Sequence, residues 1–439
     1  MTTPERHLIS LLLCAALAAC GGGGSSNDSS TPTATSSSSS QAASSAPAAG
    51  SSSSASSKPA SSASSSSVAT SSASSAPVLS QSGNPASGEL NTYTVLLSSA
   101  GDAAARLAAD KAKADIILTW QTREGGFYKH ITDSKAGAGT LYSVAWSSGS
   151  KSSTWLGENG VDLGTIDNDA TTSELFFLAD VYKRSGDTKY RDAARRTLDF
   201  LLLMQYPSGG FPQVYPARAG TSYSNYVTFN DDAMARVMLV LDQVAKKSAP
   251  VDTQDLFTAE QYSKLSAAIA KGIDFILKSQ IVQSGVKTVW CAQHDPVTYE
   301  AKEARSYEWP SKSGKESVGI VGFLMSQPQT PEVKAAVQAA LAWFRSSAVQ
   351  VADTAYVNRP SGNTDDTWNP IQAKTGSVMW YRFYDLDKDT GFFSGRTAAE
   401  GGKGKQYNIM DIEAERRYGY SWGGAYAATL LSYASSVGY

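Results

Sequence analysis

Helical runs in this 439-residue chain come in pairs, and that pairing constrains the fold more than any other feature. Asp187 stands as an N-cap before Tyr190, Ala194, Leu198, Leu201 and Leu202, which fall on one helical face. Thr258 and Gln261 form a capping box ahead of Leu265, Ala268, Ile273 and Ile276. Thr330 and Pro331 supply a cap and a first-turn proline before Val333, Val337, Leu341 and Phe344. Each run follows another helical stretch, at 172–184, 232–247 and 316–325. The first two pairs end in similar text, "FLLLMQ" then "GGFPQVYP" and "FILKSQ" then "TVWCAQHD", whereas the third ends in "AWFRSS" without so clear a sequel. Pairs recurring at roughly 60–85 residues predict α-hairpins in a ring or solenoid, on a period too long and irregular for tetratricopeptide or ankyrin arrays. Short β-type segments at 211–215, 286–293 and 378–384 are expected at the hairpin ends. The expected fold class is therefore mostly α, an (α/α) toroid with short rim β-strands. Its converging loops leave a groove suited to an elongated polymer.

The helical pattern starts only after a different kind of sequence ends. Residues 21–83 are almost entirely Ser, Ala, Thr, Pro and Gly, with Asp28 and Lys58 the only charges. Such a stretch cannot bury enough apolar surface to fold, so it reads as a flexible linker with an r.m.s. span of roughly 40 Å. Before it, Arg6 and His7 precede an apolar run, 8–19, too short to span a bilayer. Residues 1–20 read as an export signal, and Leu17-Ala18-Ala19-Cys20 resembles a bacterial lipobox in which Cys20 is acylated. The alternative is an ordinary small-residue cleavage site with an incidental cysteine. Gly21, in place of Asp, gives no inner-membrane retention signal. Export, with a lipid anchor in the outer membrane or free secretion, is expected, and the protein is expected to be a monomer. The domain assignment is thus 1–20 signal, 21–83 linker and 84–439 folded domain.

That domain holds all nine Trp and all 21 Tyr, and its about 355 residues suffice to bury roughly three quarters of their unfolded surface. The net charge of −2 excludes the general basic field that grips nucleic acid. Only Cys291 of three cysteines lies in the domain, so no disulfide scaffold is expected, and a small core residue is its simplest reading. Only His130 and His294 lie there too, and no zinc pattern, nucleophile elbow, phosphate loop or dinucleotide fingerprint occurs. The "SGKES" at 313–317 lacks the first glycine of a phosphate loop and has Glu316 in place of its hydroxyl.

Acidic clusters and an aromatic, basic constellation remain. Asp167, Asn168 and Asp169, then Asn230, Asp231 and Asp232, then Asp365 and Asp366, all sit where helices are expected to begin. Each reads as an N-cap when taken alone. Two of them recur at corresponding points of the repeat, which would bring oxygen ligands for a hard cation such as Ca2+ to one end of the bundle. The segments "ARSYEWPSKSGKES" (304–317), "WYRFYD" (380–385) and "FFSGR" (392–396) combine arginines with aromatic faces, as an anionic sugar polymer requires. Arg382 reads equally as a ligand residue or as an ion-pair partner of Asp385 or Glu415, and "AERR" (414–417) as a surface or structural ion-pair helix.

These motifs, with "TIDNDAT" (165–171), "FNDDAM" (229–234), "TVWCAQHD" (288–295) and "ERRYGYSWGG" (415–424), make residues 102–439 resemble the family 10 pectate lyases. The resemblance implies an (α/α)3 toroid and Ca2+-dependent cleavage of polygalacturonate by anti β-elimination. By resemblance Arg305 is the catalytic base and Asp231 a Ca2+ ligand, with Asp232 and Asp169 able to share that duty. Asp167 and Asn168 fall at the substrate or second-cation position, and Arg382 and Arg396 resemble the pair that grips a substrate carboxylate. Trp290 and Tyr307 are expected to offer stacking faces. Removing the C5 proton of a uronate builds charge on an already negative carboxylate, so fixed positive charge is the main requirement. An arginine base further requires surrounding cations to disfavour its protonated form. The rival readings are an (α/α)-ring glycoside hydrolase using Asp167 and Glu308, and a surface protein that only binds polysaccharide.

Overall fold

The computed structural model describes residues 83–129, 142–146, 156, 160–360, 365–396, 404–422 and 424–439. The export signal, Cys20, the linker as far as residue 82, and His130 lie outside the described residues. Among those described, nine α-helices dominate: α1 Ala103–Trp120, α2 Thr172–Ser185, α3 Thr188–Met204, α4 Ala233–Ala245, α5 Ala259–Ser279, α6 Glu316–Met325, α7 Pro331–Arg345, α8 Ala414–Arg417 and α9 Tyr426–Ser436. None of the described helices is long and apolar enough to cross a membrane.

The expected pairs are present. α2 packs on α3, α4 on α5 and α6 on α7, with α4 also touching α2 and α6. Helices α3, α5 and α7 touch in succession, so the pairs stack into two rows. Burial separates the rows: every residue of α6 is buried, whereas α5 buries one face through Leu265, Ala268, Phe275 and Ile276. A 3-10 segment, Pro85–Leu96, lies against α2, α4, α6 and α9. The caps expected at Asp187, Thr258 and Thr330 form. Thr258 and Gln261 exchange both bonds of a capping box, and Thr330 Oγ1 accepts from Val333 N–H at 3.3 Å.

A glutamine repeats with the pairs. Gln121, Gln205 and Gln280 directly follow α1, α3 and α5, and their Nε2 groups donate to carbonyls in α3, α5 and α7 respectively. The acceptors are Ala193 (3.1 Å), Ala268 (2.9 Å) and Ala336 (2.9 Å). The chain then turns sharply at Gly125 and Gly209, with φ of 100° and 102°. A Cβ at Gly209 would stand 2.0 Å from the Lys271 carbonyl oxygen, so only glycine fits this approach.

The strands are short: β1 Gly164–Thr165, β2 Val214–Tyr215, β3 Val227–Thr228, β4 Val282–Gln283, β5 Val286–Lys287, β6 Gln293–His294, β7 Lys312–Ser313, β8 Val351–Tyr356, β9 Ile371–Met379, β10 Phe383–Tyr384 and β11 Gly391–Phe392. All pairing is antiparallel: β1 with β2, β3 with β6, β4 with β5, β8 with β9, and β10 between β11 and β7. The segment expected as one strand at 286–293 is two, because Val289, Trp290 and Cys291 turn inward and are buried. The segment expected at 378–384 is likewise divided, between the end of β9 and β10. The rest of the β8–β9 hairpin was not foreseen, since much of it is exposed and it carries little apolar alternation. Cys291 is a buried core residue, and its N–H donates to His294 Nε2 at 3.0 Å, which occupies that imidazole.

Replacing Gln205 by Leu removes two bonds of 2.9 Å, to Gly209 and Ala268 carbonyls, while keeping side-chain bulk. Urea denaturation is expected to show a loss of about 2 kcal/mol.

Candidate functional site

Two helix starts share one backbone conformation. Asn168 and Asp169 have φ of 48° and 68°, and Asp231 and Asp232 have φ of 55° and 58°. Left-handed geometry of this kind is tolerated best by Asn and Asp, which explains the residue types without any ligand. The capping reading, however, fails. No side-chain cap bond forms at the start of α2 or α4, and the carboxylates meet bases instead. Asp169 Oδ1 lies 2.7 Å from Arg236 Nη2, and Asp232 pairs with Lys315. Arg236, in the apolar run of α4, also takes Glu89. Lys315 belongs to "SGKES", which is the third helix start, leading from β7 into α6. The third acidic cluster does not belong here: Asp365 accepts from Thr367 N–H (2.8 Å) in an exposed turn ahead of β9, and no helix follows.

Asp167 and Asp231 face each other. Their carboxyl groups are hydrogen-bonded, and Lys129 Nζ and Gln213 Nε2 each donate to Asp167 Oδ2 at 2.7 Å. Burial and the Asp167 charge push the Asp231 carboxyl well above the usual carboxylate range. Burial is the largest influence on Asp167 and acts to raise it, but Lys129, the hydrogen bond with Asp231 and Arg305 together hold that group low. Glu316, fully buried, and Arg382 border the same pair.

The guanidiniums form the other half. Arg305, on the exposed side of the cluster, makes a two-pronged ion pair with Glu308 through Nε at 2.8 Å and Nη2 at 2.5 Å. Burial would lower its pKa, but the Glu308 carboxylate wins and raises it above the arginine norm. This is the reverse of the depression expected for a base. Arg382 is buried; its Nη2 lies 3.1 Å from Asn230 Oδ1, 3.6 Å from Glu316 and 3.9 Å from Glu308. Asp385 and Glu415 are not its partners, for Asp385 takes Lys405 and Glu415 takes Arg396 at 3.1 Å. Arg396 is exposed, and its N–H donates to Glu413 at 2.7 Å.

Two aromatic expectations are corrected. Trp290 is wholly buried, its indole N–H given to the Ile276 carbonyl at 2.7 Å, so it has no face for a sugar. Tyr307 is 3% exposed and lies instead against Arg305, Arg396 and Arg416, at 5.0, 5.3 and 4.0 Å from its ring centre. No group of three or more His, Cys, Asp or Glu side chains converges to hold a metal among the described residues. Of the three expected ligands, Asp232 and Asp169 are committed to Lys315 and Arg236, leaving Asp231 beside Asp167. Lys129, Gln213 and Arg236 were not singled out by the sequence, and Lys315, Glu316 and Arg416 entered it only inside longer motifs, without a place in the site. Arg236 carried a readable signal as a lone charge within "AMARVMLVL".

A helical domain with facing carboxylates beside clustered guanidiniums suits work on a polyanion, and the comparisons agree. A family model described as pectic acid lyase matches residues 121–431, so the chain belongs to that family and is a polysaccharide lyase. It is 41% identical, with a TM-score of 0.68, to the family 10 polysaccharide lyase from Cellvibrio cellulosa, covering 82% of this chain and 98% of that one. The same identity and TM-score hold for an Asp-to-Ala mutant of the family 10 polysaccharide lyase from Cellvibrio cellulosa in complex with trigalacturonic acid, covering 83% and 100%. No curated protein matched the chain.

Because the folded state raises the Asp231 pKa, its contribution favours folding at low pH and turns against it as pH rises through the folded value. Asp231→Asn suits the positive φ, as Asn168 shows at the matching position. In chelator the variant is expected to exceed wild type by about 1–2 kcal/mol at pH 8 and to match it near pH 4, measured by denaturant melts.

Proposed function

We propose that the protein is a pectate lyase that cleaves polygalacturonate by Ca2+-assisted anti β-elimination, giving 4,5-unsaturated oligogalacturonides. The observation that carries this reading is the contiguity of Arg305, Arg382 and the facing pair Asp167 and Asp231. The similar Cellvibrio lyase bound to trigalacturonic acid supports a polygalacturonate substrate. The two rows of stacked pairs support an (α/α)3 toroid, with residues 84–439 as the catalytic domain.

The facing carboxylates fit a hard divalent cation, since each repels the other's charge and both offer oxygen donors. Asp231 and Asp167 would hold it, with Asn168 at the neighbouring position. When bound, Ca2+ draws charge from the uronate carboxylate and so eases loss of the C5 proton. Arg382, held by Glu316 and Asn230, presents fixed positive charge to the same carboxylate, and Arg396 grips it from the open side. Arg305 takes the C5 proton in this reading. Arg305 is protonated while paired with Glu308, so it must first give its own proton to solvent before it can accept one. Drawing Glu308 toward Arg382, 3.9 Å away, together with nearby positive charge, favours that loss. The same two guanidiniums hold Glu308 below its usual pKa, against burial, which disfavours it as the proton donor of a hydrolase.

Export by the signal at 1–20, acylation of Cys20 and a 21–83 tether complete the proposal: a monomeric enzyme anchored at the outer membrane within reach of polymer. Two weakly binding signals are not needed if several acyl chains are attached.

Wild type acting on polygalacturonate is expected to produce the ultraviolet-absorbing unsaturated uronide, and chelator is expected to abolish it. No chromophore in the presence of Ca2+ sinks the lyase reading. Arg305→Lys and Arg305→Ala should each lose at least about 100-fold in kcat, and near-normal activity of the lysine variant would exclude the guanidinium as base. Ca2+ should also raise the melting temperature of wild type but not of Asp231→Asn, a readout independent of turnover.

A further inference from the structure

We propose that Arg416 binds the carboxylate of a second uronate unit, adjacent along the polymer to the one that reacts. The inference rests on the polyuronate reading above and extends its substrate site. Arg416 lies in α8 and is 6% exposed. Its guanidinium is the nearest of the three on Tyr307, 4.0 Å from the ring centre. The other clustered arginines have carboxylates: Arg305 has Glu308, Arg382 has Glu308 and Glu316, and Arg396 has Glu415. Among the described residues Arg416 has none, and its buried Nε reaches no hydrogen-bond acceptor.

A buried guanidinium without an anion is costly, because it stays protonated in proteins and keeps five donors to satisfy. Burial lowers its hold on the proton, Tyr307 offsets part of this, and Arg382 and Arg396 add to the lowering. The surroundings therefore favour an arriving negative charge. Room for the group is built in: a Cβ at Gly419 would stand 3.0 Å from Nη2 and 3.5 Å from Cζ. The planar fork of a guanidinium matches a carboxylate, and a polyuronate carries one carboxylate on every sugar. Arg396, on the same tyrosine ring, serves the reacting unit, so the carboxylate nearest Arg416 belongs to its neighbour.

Calorimetric titration with trigalacturonate tests the assignment. Arg416→Gln is expected to weaken Kd at least about tenfold, and Arg416→Lys, which keeps the charge but not the fork, to weaken it less. Gly419→Ala should push the guanidinium aside and weaken binding in the same direction. On polygalacturonate the glutamine variant should raise KM with kcat within about threefold of wild type. Its deficit in kcat/KM should shrink as methyl esterification blocks more carboxylates. Unchanged Kd in folded Arg416 variants, or a deficit that is the same at every degree of esterification, overturns the proposal. Should the glutamine variant melt below the assay temperature, the lysine variant carries the test. Wild type that binds trigalacturonate yet yields no unsaturated product would refute the lyase reading alone. Normal product formation with wild-type affinity in Arg416→Gln would refute this one alone.

Discussion

Charge removed from water must meet its opposite, and the interior near the three helix starts is arranged around that demand. Asp169 meets Arg236, which also holds Glu89; Asp232 meets Lys315; and fully buried Lys312 meets Asp389 at 2.6 Å. The Asp169 and Asp232 pairs tie successive helix pairs together at their starts, and the Lys312 pair ties β7 to the β10–β11 turn. Two places depart from the pattern. Asp167 and Asp231 set like charges face to face, with the Lys129 ion pair made to Asp167, and Arg416 brings a guanidinium inward without a carboxylate among the described residues. The first shortage suits a cation and the second an anion, which are the two charged components of a metal-dependent reaction on a polyuronate.

The repeat explains how one fold produces both departures. The same left-handed backbone begins α2 and α4, so corresponding side chains leave the chain in corresponding directions. At Asp169 and Asp232 the repeated position is used identically, to bind a base from the next element. At Asp167 and Asn230 the copies diverge: the first keeps a carboxylate beside Asp231, while the second supplies an amide oxygen to Arg382. Divergence within a conserved geometry converts a structural motif into an asymmetric site. The glutamines following α1, α3 and α5 keep the rows in register, so the starts stay close enough for these pairs to form.

Helices, caps and pairings were legible because their causes lie within a few residues, as in Thr258 with Gln261. The acidic clusters were legible as a set, and the family resemblance ordered their roles, but their partners were not. Lys129 lies 38 residues from Asp167, and Lys315 lies 83 from Asp232, distances at which no local pattern operates. Trp290 was misread for a related reason. An aromatic in a short apolar run fits a rim strand or a buried turn equally well, and the packing of α5 against it decides the matter through the Ile276 carbonyl. In "AERR" the four residues were read together as an ion-pair helix, yet adjacent arginines diverge: Arg417 binds backbone carbonyls of Ile412 and Met410, and Arg416 turns inward onto Tyr307.

Tyr307 is the point on which the electrostatics of the open face turn. Three like charges crowd round it and repel one another, and the negative face of the ring offsets part of that repulsion. Glu308 then biases the set, since it holds Arg305 firmly and touches Arg382 at a longer distance. An incoming polyanion changes the balance by adding negative charge to a region whose own carboxylates are already shared. Competition for guanidinium bonds between Glu308 and the substrate would loosen Arg305 only when a sugar acid is present. Loosening alone does not make Arg305 an acceptor, because the sugar carboxylate also favours its protonated form. The guanidinium proton must first pass to solvent, and the positive charge of Arg382 and of a bound cation is what would favour that loss.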